Sequence, residues 1–206
     1  IAMRRFSLIV AMLLVAVCCR PSRAQVGTPL NVALSTLGGE QLWSDRIVHG
    51  QWRIQRNELT GHCRLLDASD VRRAWGDEQH CRAELDSLKR TSAVPPLDGK
   101  AVITLHGLGR SRDHMTAFGK FLEKEGGFTW INVGYASTRA SLDEHAESFA
   151  RVVEGLEGIE EVYIVAHSLG NLVVRRYLGE ASQPQPRWRP DLRIRRMVMI
   201  GPPNHG

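Results

Sequence analysis

Ser168 stands in the run Ala166-His167-Ser168-Leu169-Gly170, with small residues two places before and two places after it. An apolar stretch over residues 161–166 precedes this run, and a stretch with helical periodicity over residues 169–178 follows it. A serine at a sharp turn between strand and helix is a nucleophile elbow, usually written G-x-S-x-G, and Ala166 here replaces the first glycine. The turn brings the residues at two places either side close together, so both must be small. Such a backbone is strained and projects the hydroxyl at the edge of a sheet. The helix that follows turns its free N–H groups and positive dipole end toward that hydroxyl, where a developing oxyanion benefits. The plainer alternative is a serine that merely caps a helix.

A second run has matching chemistry. His106-Gly107-Leu108-Gly109 follows the apolar residues 101–105, and its glycines allow the backbone to approach a ligand. The loop after the earlier strand and the residue after the nucleophile each supply one N–H to an oxyanion hole. By position these are the amides of Leu108 and Leu169. Ala166, Gly170 and Gly107 provide the room, His106 organises the loop, and the elbow is expected to turn His167 away from Ser168.

The elements that must position these groups alternate along the second half of the chain. Residues 101–105, 128–135, 161–166 and 193–200 read as strands, and residues 111–124, 141–156 and 169–178 as helices. In the first helix Met115, Phe118, Phe121 and Leu122 fall on one side, and Gly126-Gly127 is its stop. Ser141 and Glu144 form a capping box for the second, whose Leu142, Phe149, Val153 and Leu156 recur at helical spacing. Alternating strands and helices predict right-handed crossovers and a mainly parallel sheet covered on both faces. The first half is less regular. Residues 25–48 look loosely structured, with a turn at Gly38-Gly39. Residues 51–57 alternate as a strand, with residues 62–66 as a candidate partner. Residues 67–88 look helical, with a break near Gly76.

The chain has 206 residues, 43% of them apolar, which suits one domain with a buried core. Arg4 and Arg5 precede an apolar run over residues 6–17, and Ser22-Arg23-Ala24 is a small-residue cleavage site. Residues 1–24 therefore read as a secretory signal peptide cleaved near Ala24, which implies a secreted or periplasmic product. Val17, which is not small, argues against lipidation of Cys18. The leader contains four arginines and no acid, so its removal takes the formal charge from +5 to +1. That leaves no electrostatic case for a nucleic-acid partner. Cys63 and Cys81 remain. In an oxidising compartment they are expected to pair, closing a loop of about 18 residues at a gain of roughly 3 kcal/mol. Two separate buried thiols are the alternative. Neither cysteine has the spacing of a metal site.

Residues 106–111 (H-G-L-G-R-S), 133–139 (V-G-Y-A-S-T-R), 166–178 (A-H-S-L-G-N-L-V-V-R-R-Y-L) and 201–206 (G-P-P-N-H-G) together resemble the bacterial triacylglycerol lipase/esterase branch of the α/β-hydrolase superfamily. The resemblance covers about half of the chain, as an incomplete hydrolase core over residues 96–206. It implies an α/β-hydrolase-type, mainly parallel sheet with helices on both faces, cut short after the strand that follows the nucleophile helix. Residues 25–95 are expected to add the first strands and a helix of that sheet. The implied activity is cleavage of carboxylic esters through an acyl-enzyme on Ser168, with no cofactor or metal. The implied partners are a small-molecule or lipid ester and, transiently, a lipid interface. Residues 135–139 follow a strand and read equally as the mouth of the pocket or as an ordinary turn. The family's order is serine, then acid, then histidine. Asp191 precedes the last strand and His205 follows it at once, so neither fits. The triad acid and base are expected outside these 206 residues. Thioesterase, amidase and acyltransferase share the same constellation. A non-catalytic binding module on a hydrolase scaffold is the alternative from another class.

Overall fold

The computed structural model describes residues 40–91 and 93–204. The leader over residues 1–24, the Gly38-Gly39 turn and His205 lie outside the described residues.

The first described strands form an antiparallel sheet in the order β1-β2-β3-β4: β1 (Trp43–His49), β2 (Trp52–Asn57), β3 (Cys63–Leu66) and β4 (Arg72–Gly76). Gly50, at φ 60, is the first central residue of the two-residue turn between β1 and β2, where the twist of a tight hairpin calls for a positive φ. Helix α1 (Glu78–Arg90) begins at Asp77, whose carboxylate accepts the His80 N–H at 2.7 Å. Such a cap is worth about 1 kcal/mol. The helix lays Cys81 and Leu85 on Ile47, Ile54 and Leu65 of the sheet. Two expectations are corrected here. Residues 43–48 are strand and not loose chain, and the segment read as helical from residue 67 supplies β4 before α1 begins.

The second sheet is parallel throughout, in the order β6-β5-β7-β8: β5 (Gly99–Leu105), β6 (Thr129–Val133), β7 (Ile159–His167) and β8 (Ile194–Ile200). Between them run a 3-10 turn (Arg112–Met115) and helices α2 (Thr116–Gly126), α3 (Leu142–Glu154) and α4 (Leu169–Ala181). Helices cover both faces. Ala146, Phe149 and Val153 of α3 and Val173, Val174 and Tyr177 of α4 pack on Ile103, Leu105, Ile164 and Ala166. On the other face Met115 and Leu122 meet Val102, Trp130 and Val165. The Ser141 capping box of α3 has both of its reciprocal bonds. Because β6 lies on one side of β5 and β7 on the other, the chain leaves β5 and β7 in opposite directions. The crevice at the carboxyl ends of those two strands is the topological switch point, where open α/β sheets bind ligands.

The α2 face differs from its reading. Met115 is buried and Leu122 partly so, but Phe118 and Phe121 are 38% and 58% exposed. The contact is made instead through Gly119, where an added Cβ would lie 2.0 Å from the Trp130 indole. Strand β8 differs too. Among the described residues both of its faces are partly open, with Val198 55% and Met199 49% exposed, although a parallel sheet ordinarily buries both faces of such a strand.

Residues 43–90 do not extend the parallel sheet as expected, but build a sheet of their own. The two meet where the Asp45 N–H donates to the Gly134 carbonyl at 2.9 Å and the Gly134 N–H returns a bond to Asp45 Oδ2 at 2.7 Å. A bulge between Asp45 and Ile47 breaks the regular register of β1 at this point. Asp45 is fully buried and also accepts from Arg53 Nη1 and Gln55 Nε2, each at 2.8 Å. From the same strand, Ser44 Oγ accepts the Ala136 N–H and Arg46 donates to Ser148 of α3.

Candidate active site

Ser168 adopts φ 50 and ψ −116, a backbone that residues with a Cβ rarely take. Its side chain caps nothing, so the helix-cap alternative does not describe it, and its hydroxyl has no hydrogen-bond partner among the described residues. The bend is held from beneath. The Ser168 N–H donates to the Ile200 carbonyl at 2.9 Å, and the fully buried Asn171 sends Nδ2 to the carbonyls of Ser168 and Ile200 at 3.0 and 3.1 Å. Sequence reasoning missed Asn171, whose one signal is a polar residue one turn into an apolar helix. Ala166 is sealed between β5 and β8, and a Cβ at Gly170 would lie 2.8 Å from Leu105 Cβ and 3.0 Å from the His106 carbonyl oxygen. The small residues are thus required by close packing against β5.

The glycine loop lies against the elbow. A Cβ on Gly107 would stand 3.1 Å from Ser168 Cβ and 2.9 Å from His167 Nδ1, so only glycine fits. Gly109, at φ 65, donates its N–H to Ser137 Oγ at 3.0 Å. Ser137 Oγ in turn donates to Gln41 Oε1, which Thr138 also reaches, and Gln41 Nε2 holds the Arg110 carbonyl at 2.7 Å. Residues 137–138 are therefore braces of the loop, a role that neither reading of that segment specified. The N–H groups of Leu108 and Leu169 have no partner among the described residues. Leu108 is itself 62% exposed beside the elbow.

His106 is buried and stacks on Tyr135 with ring centroids 4.2 Å apart. Its Nε2 accepts the Tyr135 N–H at 3.4 Å, so the proton sits on Nδ1 and is donated to the Gly107 carbonyl at 2.9 Å. Burial holds its pKa below the usual histidine value, and the ring holds the Gly107 carbonyl of the loop. His167 keeps Nδ1 buried without a partner and lies 5.4 Å, ring to ring, from His114. Asp191 sits before β8, at the opposite end of the sheet from Ser168. Its burial opposes ionisation, but hydrogen bonds from Arg193 outweigh that and hold the carboxyl below its usual range. Among the described residues, then, no histidine or acid is hydrogen-bonded to the Ser168 hydroxyl.

Cys63 and Cys81 share the core under α1 as free thiols, which corrects the expected disulfide. Burial pushes Cys63 up to about 11 and Cys81 up to about 12, so the thiolate that disulfide formation needs is scarce at neutral pH. No group of three or more metal-ligating side chains occurs among the described residues.

Comparison of the chain with protein-family models, with curated proteins and with solved structures finds no match.

Proposed function

We propose that this chain carries the nucleophile and oxyanion hole of a serine hydrolase that cleaves carboxylic esters, exported by its N-terminal leader. One observation carries the reading. A hydroxyl without a partner among the described residues sits on a backbone bent to φ 50, packed against Gly107, where a Cβ would stand 3.1 Å from Ser168 Cβ, and the amides of the next residues, Leu108 and Leu169, are uncommitted among the described residues. In this scheme Ser168 Oγ attacks the ester carbonyl carbon, and the carbonyl oxygen becomes an oxyanion that accepts the N–H groups of Leu108 and Leu169. Collapse of the tetrahedral species expels the alcohol and leaves an acyl group on Ser168. Water then attacks the same carbon and releases the carboxylic acid. The scheme needs a histidine as proton acceptor; among the described residues none is hydrogen-bonded to the Ser168 hydroxyl, and His106 is neutral and committed to the loop.

An exposed leucine at the hole suits an apolar ester, including a lipid ester met at an interface. The discriminating experiment is turnover of an ester, thioester and amide panel by the full-length protein and its Ser168→Ala variant. Ester turnover lost in the variant supports the reading. A thioester or amide preference keeps Ser168 and changes the substrate. Equal turnover by both proteins removes Ser168 from the chemistry and favours the binding-module alternative.

A further inference from the structure

The junction between the two sheets contains a polar cleft whose lining includes His106 and Tyr135 beneath the glycine loop, but neither Ser168 nor the amides of Leu108 and Leu169. It is lined by Trp43, Gln55 and Arg64 from the antiparallel sheet, Asp70 from its β3–β4 turn, and Ser111 and Arg112 from the parallel unit. Two guanidinium groups face one carboxylate. Arg112 is held by Asp70, and that pair is balanced. Behind the wall Arg53 and Asp45 form a second balanced pair. Arg64 is the remaining charge. It is only 7% exposed, stacks 3.9 Å above the Trp43 ring, and sends Nε and Nη2 to one neutral acceptor, Gln55 Oε1, at 3.0 and 2.8 Å.

Gln55 cannot neutralise Arg64. Its Nε2 already donates to Asp45 Oδ1, which fixes the amide with oxygen toward Arg64, and Asp45 has its own arginine. Arg64 Nη1 has no partner among the described residues, yet it is not sealed from solvent. The Ser111 side chain caps nothing and is a further donor on the opposite wall. A nearly buried cation without an ion pair among the described residues, with Asp45 and Asp70 acting on it only from a distance, is costly, and a small anion between the walls reduces that cost. Arginine forks are suited to planar or tetrahedral oxyanions.

We propose that this cleft is a binding site for a small oxyanion, a carboxylate or a phosphate group, held by Arg64 Nη1 and Ser111 Oγ. Arg112 adds positive potential from the opposite wall. The anion would tie β3 to the segment leaving the glycine loop. The site stands independently of the hydrolase reading, so the test uses the full chain carrying Ser168→Ala.

Titration calorimetry and thermal unfolding are followed with sodium phosphate, sodium acetate and sodium chloride at matched ionic strength. Saturable heat and a rise in Tm with phosphate, acetate or both, but not with chloride, are expected, and the more effective anion identifies the chemistry. Arg64→Met should weaken binding by about tenfold or more, the worth of a charged hydrogen bond. Ser111→Ala leaves the buried network intact and should weaken it by a smaller factor, so the test holds even if the arginine variant does not fold. No saturable binding into the millimolar range, or equal effects of all three salts, would overturn the proposal.

Discussion

Ser168 and Gly107 depend on each other at the scale of single residues. The elbow supplies the hydroxyl, and the loop glycine leaves room for it. Gly107→Ala places a methyl 3.1 Å from Ser168 Cβ and is expected to push the Leu108 amide out of position. Turnover should fall by about 10²–10³, as when one oxyanion donor is lost, and overpacking should lower stability by about 1–3 kcal/mol. Steady-state kinetics with calorimetry on the same preparation checks both. Ser168→Ala should lower turnover further, by about 10⁴ or more. The serine, its small flanking residues and the glycine loop were legible in sequence because each requirement is local. Asn171, Gln41 and Ser137 were not. Their roles lie in bonds to Ile200, Arg110 and Gly109, and only the folded chain brings those partners near.

Helix α2 and strand β1 show where reading whole elements succeeded and where it failed. The apolar spacing of α2 identified a helix, but Trp130 from the neighbouring strand chose Gly119 as the contact and left Phe118 and Phe121 outside. Gly119→Ala should therefore cost about 1–3 kcal/mol through overpacking. Phe121→Ser should change stability by no more than about 0.5 kcal/mol, as surface substitutions do. Urea denaturation of the two variants separates these outcomes, and the reverse ranking would contradict the packing described. Strands β5, β6 and β7 were legible because strands buried in a parallel sheet read as apolar runs, and β8 was legible from its own apolar run although its faces are partly exposed. β1 was hidden because Ser44, Asp45, Arg46 and His49 are all buried. Their cost is offset by bonds to residues some 45–100 positions away, so the strand has no alternating pattern to find.

At the scale of the whole molecule, neutral buried histidines decide how the protein responds to acid. Burial holds His49, His106 and His145 below the usual histidine pKa. Each is therefore protonated more readily in the unfolded chain. Their contribution to stability is complete above about pH 6.5 and declines as pH falls below it. Urea midpoints measured from pH 8 to pH 5 should fall toward the acid end. His145→Phe should show a shallower fall, because neither ring nitrogen of His145 has a partner among the described residues to lose. Asp45→Asn leaves Arg53 buried without its anion, and a loss of about 3–5 kcal/mol is expected. The fold class was legible from the alternation of elements, whereas a separate antiparallel sheet was not, since the bonds that dock it come from distant parts of the chain.

The most direct measurement of the central claim is intact-mass and peptide-mapping spectrometry of the full-length protein after exposure to a fluorophosphonate. The expected result is one phosphonyl adduct on the peptide bearing Ser168, absent in Ser168→Ala. An unlabelled protein, or an adduct on another residue that persists in the variant, would contradict it.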